Sequence, residues 1–145
     1  MAVKLAINGF GRVGRYVVRA AINRDDVEIV AVNARADTKT LAHLLKYDSV
    51  HRSFPGEIKQ KGDSIVVNGK EIKVTKVSGK LSELPWKELG VDIVMETTGK
   101  FLDRESTSQH LAAGAKKVII GAPGKGVDAT LVYGVNESSY DPSKH

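Results

Sequence analysis

Cysteine is absent from the 145-residue sequence, which excludes a disulfide framework and a thiolate zinc site. Long apolar runs are absent too, since none approaches the roughly 20 residues of a membrane-spanning helix. The first residues lead straight into a predicted strand rather than into a signal peptide. We therefore expect a cytoplasmic protein that contacts no membrane, which is in keeping with a reducing compartment.

Aromatic residues are scarce, at 6% of the sequence, although the net charge is +5. A nucleic-acid-binding surface concentrates Lys and Arg on one face and interleaves them with aromatic residues. Here Lys is scattered along the chain, which favours a solvated basic surface and makes nucleic acid an unlikely partner. Only Arg12, Arg15 and Arg19 form a local cluster, because their spacing places them on one face of a helix.

Patterns typical of other chemistry are also missing. No segment fits the phosphate-binding pattern G-x-x-x-x-G-K-[ST], and the four histidines lack the spacing of metal ligands. No Ser/His/Asp arrangement is apparent. We therefore predict neither a metal site nor a catalytic residue in this chain.

What the sequence does contain is an alternation of apolar runs and helical periodicity. Six sheet strands are predicted, at residues 3–7, 28–33, 72–74, 91–96, 117–120 and 130–134. Asn68-Gly69 favours a hairpin that joins residues 65–67 to 72–74. The length suits one domain over residues 1–145. The pattern predicts an α/β fold, a doubly wound and mostly parallel Rossmann sheet with a β-hairpin insertion.

Three helices connect these strands. The first is predicted at residues 13–23 and the third at 103–113, ended by Gly114. Asp37 is expected to cap the second helix. The residues expected to pack inward are Val13, Val17 and Ala21 of the first helix and Leu41, Leu44 and Leu45 of the second.

The first strand leads directly into Gly9-Phe10-Gly11-Arg12-Val13-Gly14, a G-x-G-x-x-G pattern. Between a strand and a helix, these glycines permit a tight turn, close approach of a pyrophosphate and close helix packing. The N-terminal N–H groups and dipole of the following helix favour bound phosphates. The pattern predicts a dinucleotide-binding site, which the strand ends at 33–36, 97–101 and 121–126 should complete.

The end of the second strand indicates which dinucleotide is preferred. NAD sites usually place a carboxylate there to accept hydrogen bonds from the ribose 2′-OH. This chain has Asn33-Ala34-Arg35, which lacks the carboxylate and offers a guanidinium. The substitution favours NADP over NAD. Two alternatives stay open: Arg35 is a solvated loop residue, or Asp37 reaches the ribose and NAD is retained.

Six segments closely resemble the N-terminal half of phosphorylating glyceraldehyde-3-phosphate dehydrogenase, and the likeness covers essentially all 145 residues. They are N-G-F-G-R-V-G (8–14), L-A-H-L-L-K-Y-D-S (41–49), L-P-W-K-E-L-G-V-D-I-V (84–94), E-T-T-G (96–99), G-A-K-K-V-I-I (114–120) and Y-G-V-N (133–136). The resemblance implies a cytosolic homotetramer. Such an enzyme oxidises an aldehyde phosphate through a cysteine thiohemiacetal, passes a hydride to the nicotinamide, and phosphorolyses the thioester.

The resemblance also implies a set of cofactor-binding residues. The glycine turn would line the pyrophosphate, the segment from Asn33 would lie by the adenosine ribose, and Thr98 would lie on the adenosine side. The full set is Gly9, Phe10, Gly11, Arg12, Val13, Gly14, Asn33, Ala34, Arg35, Thr98, Gly99, Phe101 and Gly121.

The chain departs from the family at several positions. Ala34-Arg35 resembles the NADP-using branches, because NAD-using members typically carry Asn-Asp there. Residues 77–80 replace a turn that often supplies an adenine-side arginine, and Gly121 replaces a serine. The nucleophilic cysteine, which the family carries shortly after the position of His145, is missing. We therefore expect the chain alone to bind cofactor without catalysing, as a domain whose catalytic partner is absent from this chain.

Two other functions remain open. The chain is also compatible with the cofactor domain of the sister erythrose-4-phosphate dehydrogenase, which only downstream sequence would distinguish. A non-catalytic nucleotide- or RNA-binding module is the second alternative, and it predicts oligonucleotide binding that falls steeply with salt.

Overall fold

A sheet of seven strands organises the chain in the computed structural model, which describes all 145 residues. The elements in chain order are β1 (Val3–Asn8), α1 (Arg12–Ala21), β2 (Val27–Asn33), α2 (Thr38–Lys46), β3 (Ile58–Lys61), β4 (Ser64–Val67), β5 (Lys70–Thr75), β6 (Ile93–Glu96), α3 (Arg104–Ala112) and β7 (Lys117–Ile120). None of the three helices has the length and hydrophobicity needed to cross a bilayer.

The strand order is β3-β4-β5-β2-β1-β6-β7. All pairs from β5 to β7 are parallel, whereas β3 and β4 are antiparallel additions at one edge. The chain builds outward from β1 through β2 and β5, then crosses to the opposite side of β1 with β6. This arrangement confirms the predicted mostly parallel α/β sheet with its hairpin. The strand order reverses beside β1, where such sheets form a ligand-binding crevice.

Alternating side chains of the central strands supply two apolar cores, one on each face of the sheet. Ile7 of β1 and Val32 of β2 belong to the larger core, and their neighbours Ala6 and Ala31 belong to the smaller one. This alternation is the consequence of the two-residue period of a strand. Trp86 is fully buried in the smaller core.

The hairpin turn has the predicted conformation. Asn68 and Gly69 have φ values of 49° and 80°, as a type I′ turn requires. The edge strand β3 was not predicted, because its sequence Ile-Lys-Gln-Lys has no apolar alternation. It forms through backbone pairing with β4 instead.

Two residues that were predicted to pack inward are exposed instead. Val13 is 48% exposed, because the buried stripe of α1 consists of Gly14, Val18 and Ala21. Leu44 is 37% exposed, whereas its neighbours Leu41 and Leu45 are buried.

The strand predicted at residues 130–134 is also wrong, since residues 130–132 have no regular structure and residues 133–136 form a turn. The side chain of Asn136 accepts a hydrogen bond from the Val132 amide at 2.7 Å and donates to the Thr130 carbonyl at 3.0 Å. Such local bonds offer the backbone an alternative to sheet pairing.

Candidate cofactor site

A cleft of about 380 Å³ lies at the carboxyl ends of the central strands, where the strand order reverses. The loops after β1, β2, β5 and β6 form its walls together with Leu41 and Leu44 of α2. Arg35 and Lys100 are the only charged residues that line it, and no carboxylate does. The cleft is therefore concave and electropositive, and it lies where open α/β sheets bind ligands.

The three glycines of the turn after β1 have different surroundings. Gly9 has a φ of 95°, and a side chain at Gly14 would overlap the Gly9 carbonyl oxygen. These two glycines therefore allow the turn and the close packing of α1 on it. Gly11 faces open space, since no atom would lie within 4 Å of a methyl group there. The room outside Gly11 suits a ligand that approaches the backbone closely.

The N-terminus of α1 differs from those of the other two helices. Asp37 caps α2 by accepting a hydrogen bond from the Thr40 amide at 2.9 Å, and Asp103 caps α3 in the same way. At α1, no side chain caps Gly11, and the N–H groups of Gly11 and Val13 donate no hydrogen bond within the chain. Unsatisfied N–H groups and a positive dipole end form an anion-binding position.

The side chain of Arg12 points to a neighbouring loop and forms an ion pair with Asp48. The His51 amide and the Arg12 guanidinium both donate to that carboxylate and hold the pKa of Asp48 well below its ordinary range. The pair fixes the first turn of α1 against the loop after α2. The Arg12 guanidinium is therefore already partnered, and Arg12 is not among the residues that line the cleft.

The side chain of Asn33, at the end of β2, is fully occupied within the protein. Its amide nitrogen donates to Asn8 Oδ1 at 2.8 Å and to the Val77 carbonyl at 3.1 Å. Its oxygen accepts from the Thr75 hydroxyl and the Val77 amide, each at 2.9 Å. Asn33 thus ties the ends of β1, β2 and β5 together beneath the cleft.

The next residues carry the charge of this strand end. Arg35 is exposed and forms no hydrogen bond or ion pair within the chain. Asp37 accepts from both the hydroxyl and the amide of Thr40, and these bonds hold the pKa of Asp37 below its ordinary value. The Arg35 guanidinium is free to contact a ligand, whereas the Asp37 carboxylate already caps α2.

A buried carboxylate lies directly beneath the loop after β6. Glu96 is 1% exposed and accepts hydrogen bonds from Asn8, from His110, and from the amide and hydroxyl of Thr98. Burial acts to raise the pKa of Glu96, but the hydrogen bonds, led by that from His110, outweigh it and keep the pKa below its ordinary value. A single ionised carboxylate therefore connects the ends of β1 and β6 with α3.

The structure brings most of the predicted site residues together. Those that line the cleft are Gly9, Phe10, Gly11, Asn33, Ala34, Arg35, Thr98 and Phe101. Arg12, Val13 and Gly14 lie in the first turn of α1, and Gly99 lies in the loop after β6. Gly121 lies beyond β7, where a methyl group would be 3.5 Å from Thr97 Cγ2 and 3.6 Å from Val13 Cγ1.

Sequence reasoning missed several residues of the cleft. Asn8 and Leu44 line it, and Glu96 supports it from below, whereas Lys100 belongs to the predicted strand end 97–101 and Ser78 to the segment 77–80 that the resemblance places on the adenine side. Asn8 and Glu96 carried a signal that was available, because each is a polar residue that ends a buried apolar strand. Leu44 carried none, since its position depends on how α2 packs beside the cleft.

The sequence is similar to those of known proteins. The family model described as "Glyceraldehyde 3-phosphate dehydrogenase, NAD binding domain" matches residues 3–104. A glyceraldehyde-3-phosphate dehydrogenase of Geobacillus stearothermophilus is 57% identical over all 145 residues, and that of Thermotoga maritima is 57% identical over 141 residues, 96% of the chain. A third, of Xanthobacter flavus, is 56% identical over 138 residues, 94% of the chain.

The chain spans less than half of the length of these relatives, covering 43%, 42% and 41% of them. The family match includes β1 to β6 and every loop that forms the cleft. The chain therefore belongs to the glyceraldehyde 3-phosphate dehydrogenase family, as its NAD-binding domain.

Proposed function

We propose that the cleft at the strand ends binds a nicotinamide dinucleotide with its pyrophosphate at the N-terminus of α1. The observation that carries this proposal is the uncapped helix end, where the N–H groups of Gly11 and Val13 lack partners. A pyrophosphate accepts hydrogen bonds from such groups and is stabilised by the helix dipole. The open space outside Gly11 leaves room for this close approach.

We infer that NADP is preferred over NAD. Arg35 lines the cleft without an internal partner, and no carboxylate lines the cleft to repel a 2′-phosphate. A charge-assisted hydrogen bond to phosphate contributes about 1.5–3 kcal/mol. This range corresponds to a preference of about ten- to a hundredfold.

Titration with NADPH and NADH, followed by fluorescence, tests the preference. We expect NADPH to bind more tightly, and Arg35→Ala to remove most of that advantage while NADH binding stays unchanged. Arg24→Ala is the matched control, because Arg24 is an exposed arginine paired with Asp26 just before β2, at the opposite end of that strand. Tighter binding of NADH, or an equal loss from both variants, would overturn the preference.

The relatives also support a proposal for the activity of the whole protein. We infer that residues 1–145 form one cofactor domain of a cytoplasmic, homotetrameric oxidoreductase that acts on glyceraldehyde 3-phosphate. When bound, the cofactor supplies the acceptor for the hydride removed from the aldehyde. This chain contains no cysteine, so its residues bind and orient the cofactor and provide no thiol nucleophile.

A further inference from the structure

The direction of each hydrogen bond beneath the cleft is fixed by groups that can only donate. The backbone N–H of Val77 donates to Asn33 Oδ1 at 2.9 Å, which orients the Asn33 amide. Asn33 Nδ2 then donates to Asn8 Oδ1 at 2.8 Å, and Asn8 Nδ2 donates to Glu96 Oε2 at 2.6 Å. Reversing the Asn33 amide would place its NH2 group against the Val77 N–H, and reversing Asn8 would place its NH2 group against that of Asn33 and its oxygen against the carboxylate. This first chain of hydrogen bonds, from Val77 through Asn33 and Asn8, therefore ends in a donor on Glu96.

A second chain of hydrogen bonds reaches the Glu96 carboxylate from the smaller core. The indole N–H of Trp86 can only donate, and it donates to His110 Nδ1 at 3.0 Å. His110 Nδ1 therefore carries no proton, and the ring proton is on Nε2. That proton is donated to Glu96 Oε2 across 2.9 Å. The second chain of hydrogen bonds also ends in a donor on Glu96.

The other oxygen of Glu96 holds the loop that lines the cleft. Oε1 accepts from the Thr98 amide at 2.8 Å and from the Thr98 hydroxyl at 2.6 Å. Thr98 in turn packs closely against the glycine turn, because a methyl group at Gly9 would lie 3.0 Å from the Thr98 nitrogen. Four donors thus converge on one buried side chain, and only an ionised carboxylate accepts from all of them.

We propose that Glu96 is a positioning residue for the cofactor site, which holds the Thr98 loop and the end of β1 in the geometry that binds a dinucleotide. Glu96 does not line the cleft itself and acts through Thr98 and Asn8, which do. The inference rests on the proposed function, since it concerns the geometry of the same cleft.

Glu96→Gln is the informative substitution because it keeps the shape and exchanges one acceptor for a donor. If the new NH2 group faces Thr98, the Thr98 amide loses its acceptor. If it faces the other side, Asn8 and His110 lose theirs. Since both chains of hydrogen bonds have fixed direction, no rearrangement of these amides and of His110 satisfies every donor.

The test compares dinucleotide affinity and thermal stability in two variants, by calorimetry. Val94→Ala is the matched control, because Val94 is a fully buried residue of the same strand that lies outside the cleft. We expect both variants to lower the melting temperature, while only Glu96→Gln weakens NADPH binding, by about tenfold or more. Unchanged affinity in Glu96→Gln, or equal weakening in both variants, would overturn the positioning role.

A measurement on the unaltered chain keeps the inference testable if Glu96→Gln does not fold. Long-range 1H–15N NMR is expected to show the His110 proton on Nε2 and none on Nδ1, with a strongly hydrogen-bonded Thr98 amide. A proton on Nδ1 would contradict the inference. Failure of the unaltered chain to bind any dinucleotide would instead contradict the proposed function, so the two failures are distinguishable.

Discussion

Gly11 and Gly14 belong to the same sequence pattern but meet different physical demands. A side chain at Gly14 would overlap the Gly9 carbonyl oxygen, whereas one at Gly11 would meet nothing within 4 Å. Gly14 is therefore required by the fold, and Gly11 only by a ligand. The G-x-G-x-x-G pattern contains both glycines, and the sequence alone does not show which one the fold requires and which one a ligand requires.

This difference predicts opposite outcomes for two alanine variants. Gly14→Ala should lower the free energy of unfolding by about 1–3 kcal/mol, because the new methyl group forces α1 away from the turn. Gly11→Ala should change stability by only a few tenths of a kcal/mol and still weaken dinucleotide binding, because its methyl group occupies the space of the pyrophosphate.

Chemical denaturation and dinucleotide titration of both variants check this prediction. Each variant is the control for the other, since the same methyl group is added three residues apart. A Gly11→Ala protein that binds dinucleotide as tightly as the unaltered chain would show that no ligand approaches the backbone there.

At the scale of single residues, the sequence also predicted Asn33 as a ligand neighbour. The structure places it at the cleft but shows its side chain saturated by bonds to Asn8, Thr75 and Val77. These partners come from two other parts of the chain, the end of β1 and the end of β5 with the loop after it. Local sequence could not reveal them, because they meet only after the sheet has assembled.

Among the elements, the helix ends are the most informative feature. The sequence correctly predicted Asp37 as the cap of α2, because an acidic residue before a helical apolar pattern satisfies the first free N–H groups. The N-cap position of α1 is Gly11, which has no side chain to accept a hydrogen bond from the first N–H groups of the helix. Capped helices thus serve the fold, and the uncapped one presents its N-terminus to the cleft.

Asp37→Ala separates the two roles considered for Asp37. We expect the variant to lose about 1 kcal/mol of stability, as other removed caps do, and to bind NADH with unchanged affinity. Asp103→Ala, which removes the equivalent cap of α3 away from the cleft, is the control. Weaker NADH binding in Asp37→Ala alone would show that Asp37 reaches the ribose, and the proposed NADP preference would lose its basis.

Most strands and all three helices could be predicted from the periodicity of apolar residues and from the glycines and caps that end them. The wrong predictions have local causes. Residues 130–134 have strand-like composition but lead into a turn held by the Asn136 side chain. β3 lacks apolar alternation and exists through pairing with β4. Val13 and Leu44 were expected in the core because helical spacing of apolar residues does not reveal which of them pack on the sheet and which stay exposed.

For the whole molecule, the position of the site follows from topology. The loops that form the cleft come after β1, β2, β5 and β6, which are far apart in sequence and adjacent in the sheet. A mostly parallel sheet was predictable, and with it a site at the carboxyl ends of the strands. The contribution of Leu44 was not predictable, because it depends on where α2 lies along this edge.

The proposed role of the N-terminus of α1 is to bind the pyrophosphate of a dinucleotide. An NMR titration of the 15N-labelled chain with NADPH measures this directly, because each backbone amide reports on its own environment. Pyrophosphate binding at α1 should give the largest 1H and 15N shifts at residues 11–13, with a second group at residues 34–36. Shifts confined to other surfaces, or no saturable shift at residues 11–13, would contradict it.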